Sequence, residues 1–148
     1  MLMPPFELHR PKSISEACEI AGKLLSEGHE FDWIAGGTDL IPNYKWHINT
    51  KPHVISLAGI EGASTISMTE IGCMARLHDI SESADVHPLI AEAASKVASS
   101  LIRRNATLGG NLCLDTRCFW YNQAEEWRSS IDWCHKADCG TGADCRVI

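Results

Sequence analysis

No stretch of the 148-residue sequence approaches the ~20 consecutive apolar residues that a membrane-spanning helix requires, so no membrane span is expected. Positive charge is also in short supply: Lys and Arg number 13 against 19 Asp and Glu, a formal charge of -6. Gripping nucleic-acid phosphates takes a basic patch, and no nucleic-acid partner is expected. Met1 to Glu7 shows no basic run leading into an apolar segment, so no secretory signal is expected and a cytoplasmic location is. Gly-x-Gly-x-x-Gly is missing, which removes support for a Rossmann dinucleotide fold. Cys-x-x-Cys is missing too, so neither a zinc ribbon nor a ferredoxin spacing fits. Internal repeats and low-complexity linkers are absent.

What is present is the composition of a folded domain, 45% hydrophobic and 22% charged. There are seven cysteines, an odd number that spoils a simple disulfide framework. Without a secretory signal they point to a reducing compartment, where thiols bind metal or do chemistry more often than they pair. Cys113, Cys118, Cys134, Cys139 and Cys145 all fall in the last third of the chain.

Taken in order, Ser13-Ile14-Ser15-Glu16 reads as a capping box. A helix follows, with Ile14, Ala17, Cys18, Ala21, Leu24 and Leu25 on one face and Gly28 as its stop. Cys18 on that face is expected to be a small buried hydrophobe. Strands are expected over Phe31–Ala35 and His53–Leu57, then over Ala63–Ser67 and Thr69–Cys73, with Cys73 in the core. Leu77 begins a short helical piece. A longer helix is expected from Pro88 to Leu101, burying Leu89, Ile90, Ala93, Ala94, Val97 and Leu101. Arg103 and Arg104 suit either a pyrophosphate or the negative end of that helix. The order of elements is that of an α+β fold.

Two glycine turns punctuate the chain: Ala35-Gly36-Gly37-Thr38-Asp39-Leu40 and Thr107-Leu108-Gly109-Gly110-Asn111. A diphosphate needs convergent N–H donors with no Cβ atoms in the way, and a pair of Gly-Gly turns supplies both. Thr38 is expected to cap a helical turn at Asp39-Leu40-Ile41. Thr38, Thr107 and Asn111 add side-chain donors, while Asp39 and Asp115 are candidates to accept from sugar hydroxyls. Behind the second turn, spacing alone leaves Cys118, Cys134, Cys139 and Cys145 open between metal ligands and scattered thiols. Phe119, Trp120, Tyr121, Trp127 and Trp133 could shield a cluster there, and Arg117, Arg128 and Arg146 could offset its charge.

These segments carry a family resemblance. The two glycine turns, with Leu112-Cys113 and the lead-in from Val97 to Ala106, resemble the flavin-binding segments of the FAD subunit of molybdenum hydroxylases. That family includes the xanthine and carbon monoxide dehydrogenases, and the resemblance covers essentially the whole chain. It implies an FAD-binding fold of the PCMH type, like the carbon monoxide dehydrogenase flavoprotein, with two small α/β subdomains. FAD would lie on Ala35, Gly36, Gly37, Thr38, Asp39, Leu40, Thr107, Gly109, Gly110, Asn111 and Asp115.

The tail is similar to that of the β subunits of 4-hydroxybenzoyl-CoA reductases, through Asn111–Cys118, Tyr121-Asn122-Gln123, Trp127-Arg128 and Ile131–Cys134. In those subunits an inserted loop holds a four-iron four-sulfur cluster beside the FAD. The similarity implies Cys118, Cys134 and Cys145 as ligands, with a fourth beyond Ile148 or replaced by Cys139. It further implies residues 1–112 as the N-terminal part of the FAD domain and 113–148 as an incomplete cysteine-rich insertion, in a chain truncated at its C-terminus. The implied role is electron transfer in an oxidoreductase complex, with the substrate site on another subunit. The implied partners are a molybdenum-cofactor subunit, a 2Fe-2S subunit and an electron donor or acceptor such as ferredoxin. Two readings stay open beside it: a plain FAD oxidoreductase subunit without a cluster, and a zinc-binding or non-catalytic fragment.

Overall fold

The capping signal at Ser13 sets the first element on its course. In the computed structural model, which describes residues 2–115, 117–138 and 144–147, Ser13 Oγ accepts the Glu16 amide at 3.2 Å. Glu16 Oε2 reaches back to the Lys12 amide, one residue earlier than a capping box requires. Helix α1 runs Ile14–Ser26. It ends where Gly28 takes φ +78, with Gly28 N–H on Leu25 O and His29 N–H on Leu24 O. That is a Schellman stop, which a residue with a Cβ would strain. The buried stripe of α1 is narrow: Ala17, Ala21 and Leu24. Cys18 is exposed, as are Ile14 and Leu25, so the broad apolar face expected from periodicity is corrected to one ridge.

Strands β1 (Glu7–His9), β2 (Phe31–Ile34) and β3 (His53–Ser56) form a parallel sheet in the order β1-β3-β2. Parallel neighbours need crossovers. Helix α1 makes the first, and helix α2 (Leu40–Lys45) lies in the second, between β2 and β3. Central β3 buries Val54 and Ile55 completely. Ile55 packs with Ala21, Leu24, Ile20 and Phe31 to form the first core.

The second half builds its own core from Ala75, Leu77, Ile80, Val86, Ala94 and Ala106. It uses helices α3 (Leu77–Glu82), α4 (Pro88–Lys96) and α5 (Ser100–Arg103). The two strands expected over residues 63–73 reduce to one antiparallel bridge, Ile66 to Ile71. Cys73 is exposed rather than in the core. The helix expected to reach Leu101 breaks at Val97, where Ala98 turns left-handed at φ 45 and Ser99 starts α5 by capping the Ile102 amide. Arg103 holds the break by donating to the carbonyls of Val97 and Ala98 at 2.8 and 3.0 Å. The break turns Leu89 and Leu101 outward, 70% and 75% exposed, and leaves Ala94 as the buried residue of α4. The chain is mixed α/β, as expected, but among the described residues its second unit is built from helices and isolated bridges rather than strands. Among the described residues, no helix is long and apolar enough to cross a membrane.

Helix α6 (Leu108–Leu112) contains the second glycine pair, and helix α7 (Glu125–Ser130) lies in the cysteine segment. This segment has a third core, in which Tyr121, Cys134 and Ala137 pack on Ile48, flanked by Trp46 and Cys118. Arg128 fastens it. Its guanidinium is 1% exposed and meets Asp138 at 2.8 to 3.0 Å. It also donates to the carbonyls of Gln123, Trp46 and His47. Asp138 Oδ2 in turn accepts the Cys134 amide at 2.8 Å. Arg128 is thus committed to the fold and is not a counter-charge for a cluster, as its place in the sequence suggests.

Truncating one member of such a buried pair leaves a desolvated charge, at a typical cost of about 3–5 kcal/mol. Arg128→Met is expected to lower stability by about that much in urea denaturation. A loss under about 1 kcal/mol would show that the network contributes little. A second test uses Tyr44, which is buried and donates to Asp32 Oδ2 at 2.8 Å while accepting the Lys51 amide at 3.1 Å. Burial pushes the Asp32 carboxyl above its usual range, opposed by the Tyr44 hydrogen bond. The folded chain holds that proton more tightly than the unfolded one. This group therefore favours the fold as pH falls through the raised value and penalises it at neutral pH. Tyr44→Phe is expected to cost about 1–3 kcal/mol at pH 7 and less in the carboxylate range. Urea titrations at the two pH values check both parts.

Candidate functional site

The two glycine turns lie at the seam between the two α/β units, and they touch. A methyl group on Gly36 would overlap the carbonyl of Asn105, with the Ala106 Cα 3.3 Å away. A methyl group on Gly110 would lie 3.6 Å from the Ala35 side chain. At Gly36 a side chain is excluded by main chain, which does not yield as a flexible side chain would. Gly37 adopts φ +69, a conformation that L residues rarely take, between the side chains of Ile34 and Ile41.

The two turns spend their backbone amides differently. Among the described residues, none of the N–H groups from Gly36 to Leu40 donates to a protein acceptor. In the second turn the backbone amides from Leu108 to Asn111 are all used. Leu108 N–H goes to Ala75 O and Gly109 N–H to Cys73 O. Gly110 N–H goes to Thr107 Oγ1 and Asn111 N–H to Thr107 O. Thr107 is buried and acts as N-cap of α6. The expectation of two amide-rich loops is therefore corrected to one donor loop facing a closely packed partner. The second loop contributes space, since Gly109 lacks a Cβ where one would press on Cys73, and it contributes the exposed Asn111 side chain.

Thr38 does not cap α2; the N-cap position is taken by Asp39, which makes no side-chain capping bond. The Asp39 carboxylate is held from the side instead. Asn43 Nδ2 donates to Oδ2 at 3.3 Å, and Arg117 Nη2 lies 2.6 Å from Oδ1, a charge contact without hydrogen-bond alignment. Arg117 Nη1 also donates to Asn43 Oδ1 at 2.8 Å. The residue beside Cys118 thus reaches back to the end of the first glycine turn. Sequence reading missed this link, because nothing in the spacing of Arg117 and Asp39 announces it. Asp115 stands apart from the turns: its carboxylate is exposed and pairs with Lys136 Nζ at 2.6 Å.

Three of the four candidate metal ligands border one cavity, though their sulfur atoms do not all lie within 4.8 Å of one another. Cys118, Cys134 and Cys145 line one cavity of about 190 Å³, together with Arg117, Trp120 and Tyr121. Cys139 lies outside the described residues. The volume falls below the ~300–1,000 Å³ of pockets that enclose drug-sized ligands. Phe119 meets Trp120 and Trp127 edge to face at 5.7 and 5.8 Å, Trp120 and Trp127 lie tilted at 5.8 Å, and Arg146 lies over Trp120 at 5.3 Å. Burial pushes the Tyr121 phenol above its usual range, reinforced by Asp115 and Asp39, so it stays a neutral wall of the cavity.

A parallel α/β unit thus abuts a second unit through two Gly-Gly turns, one of them with free amides. Comparison with known proteins identifies the fold. The profile of the family described as the FAD binding domain in molybdopterin dehydrogenase matches residues 4–120, and the chain belongs to that family. It is 34% identical over 119 residues to the carbon monoxide dehydrogenase medium chain of Hydrogenophaga pseudoflava, covering 76% of this chain and 40% of that one. It is 32% identical over 127 residues to the aldehyde oxidoreductase FAD-binding subunit of Escherichia coli, covering 80% and 38%. The solved carbon monoxide dehydrogenase from H. pseudoflava lacking the Mo-pyranopterin moiety superposes with a TM-score of 0.69 at 34% identity, over 76% of this chain and 40% of that one. The chain thus spans about 40% of the length of these relatives. The expected FAD-binding fold is borne out.

Adding one carbon at the seam is expected to push the units apart. Gly36→Ala should cost about 1–3 kcal/mol through overpacking against rigid backbone. Gly22→Ala, where a methyl meets nothing within 4 Å, should cost little or nothing. Equal melting temperatures for the two variants would show that the seam is looser than described.

Proposed function

We propose that this chain is the flavin-holding part of an electron-transfer subunit of a molybdenum-dependent oxidoreductase of the 4-hydroxybenzoyl-CoA reductase type. The observation that supports it most is the contact between the two glycine turns, close enough for one ligand to reach both. FAD fits there by the chemistry of the residues present. Free amides from Gly36 to Leu40 would meet phosphate oxygens, and bare glycines at 36, 37, 109 and 110 would let the nucleotide approach. Ala35 and Thr107 shape the seam. Thr38 and Asn111 offer side-chain donors and Asp39 a carboxylate to sugar hydroxyls, whereas Asp115, paired with Lys136, lies apart from the turns. When bound, FAD supplies the exchange between two-electron and one-electron transfer.

The cysteine segment adds a second carrier in this reading. Cys118, Cys134 and Cys145 would hold a 4Fe-4S cluster, with Cys139 or a cysteine further along a longer chain on the fourth iron. Support comes from their shared cavity, the aromatic shield and the position of this segment largely past residue 120, where the family match ends. Arg117 then matters as a spacer. Paired with Asp39 and covalently next to Cys118, it fixes the distance between thiolate and flavin loop. Residues 1–112 would form the flavin part and 113–148 the cluster segment. The substrate would react on a molybdenum-cofactor subunit, with a 2Fe-2S subunit and a carrier such as ferredoxin completing the path.

One observation favours a simpler reading, an FAD subunit without a cluster: Cys118 and Cys134 also pack as apolar residues against Tyr121 and Ile48. Anaerobic purification with flavin, iron and sulfide analysis separates the two. The cluster reading expects about four irons and four sulfides beside one FAD. Cys134→Ser should lose iron and sulfide while keeping the flavin. Gly110→Val, whose side chain would press on Ala35 and Thr107, should lose flavin and keep iron. Flavin without iron in the parent chain selects the simpler reading, and undiminished flavin in Gly110→Val overturns the loop assignment.

A further inference from the structure

Far along the sequence from the cysteine segment, the parallel pairing of β1 and β3 gathers a different set of ligand-bearing side chains. The register sets Glu7 beside His53, with Leu8 beside Val54 and His9 beside Ile55. Side chains alternate along a strand, so Glu7 and His9 share a face, and the pairing brings His53 onto the same patch. His9 Nε2 lies 3.2 Å from His53 Nδ1. The Glu7 carboxylate spans both rings, with one oxygen 3.8 Å from His9 Nε2 and the other 3.6 Å from His53 Nδ1. Among the described residues, this is the set of three whose ligand atoms gather within 4.8 Å of one another.

The geometry points to a divalent transition-metal site, of the zinc class, formed by Glu7, His9 and His53. The distances support it. Two imidazole nitrogens each ~2.0–2.1 Å from a tetrahedral ion stand about 3.3 Å apart, which is nearly the separation already present. A single carboxylate oxygen, now within 4.8 Å of both nitrogens, has to swing inward to ligate with them, and its side chain, 66% exposed, is free to do so. The imidazoles are far less exposed, at 19% and 15%, so the nitrogens are partly stripped of water while Glu7 leaves an approach from solvent. Two imidazoles and a carboxylate form the donor set of open zinc sites with a place left for water. Both rings are carried on strands, and His29 packs against His53 with centroids 5.0 Å apart, so the rings are held before an ion arrives. In the absence of metal the two nitrogens can share only one proton between them. An ion in that position satisfies both nitrogens and the carboxylate together.

The test is titration of the full chain with Zn2+ and Co2+ in a background where Cys118, Cys134, Cys139 and Cys145 are changed to serine. One equivalent of Co2+ should bind, with visible d–d absorption and no thiolate charge-transfer band. Zn2+ should displace it and raise the melting temperature. His9→Gln and His53→Gln should each weaken Zn2+ binding by about 100-fold or more, and Glu7→Gln by about tenfold. As a measurement independent of the serine background, Zn2+ should shift the imidazole 15N resonances of His9 and His53 in the parent chain. No imidazole shift, or the same affinity in the His9→Gln and His53→Gln variants, would overturn the site.

Discussion

The close approach of Gly36 to the Asn105 carbonyl is the constraint from which the rest of the molecule follows. Each α/β unit has a core of its own, one under α1 and one around Leu77 and Ile80. Neither core is large. The units come into register because main chain packs on main chain at the seam, and that packing tolerates no Cβ. A contact of this kind is short-range and steep, unlike an apolar interface that can slide. It fixes where the first glycine turn stands relative to the second, and so whether one ligand can reach both.

The division of labour between the turns is the feature that changes the chemical picture. Two glycine pairs look alike in sequence, but the surrounding hydrogen bonds make them different objects. The second turn is a finished structure, with amides consumed by Ala75, Cys73 and Thr107. The first keeps its donors, and Arg117 and Asn43 steady the acidic residue at its end. In the proposed site an anion would meet donors on one side and a shaped wall on the other, and bare glycines would admit only a thin chain of atoms between them.

Much of this was legible in the sequence where the signal is local. Ser13 and Gly28 bracket α1 because caps depend on a few neighbouring residues, and the strands at Phe31 and His53 follow from β-branched and aromatic runs between turn residues. Periodicity overreached where tertiary contacts decide. Leu89 and Leu101 suit a buried face, yet Ala98 breaks the helix and Arg103 holds the break by bonding to carbonyls on its far side. The cysteines illustrate both outcomes. Cys18 and Cys73 were expected inside and stand outside, whereas Cys118, Cys134 and Cys145 were grouped by resemblance and do line one cavity. Arg128, Arg117 and the Glu7–His9–His53 patch could not be read beforehand, since each depends on pairings between residues far apart in the chain.

The Arg128 network has a consequence for how its segment comes apart. Its five acceptors belong to Asp138, Gln123, Trp46 and His47, and the Asp138 carboxylate holds the Cys134 amide from behind. One carboxylate therefore serves both the guanidinium and the main chain at Cys134. Losing it would loosen the Trp46–His47 turn and the cysteine segment together, so the two ends of this contact cannot fray one at a time.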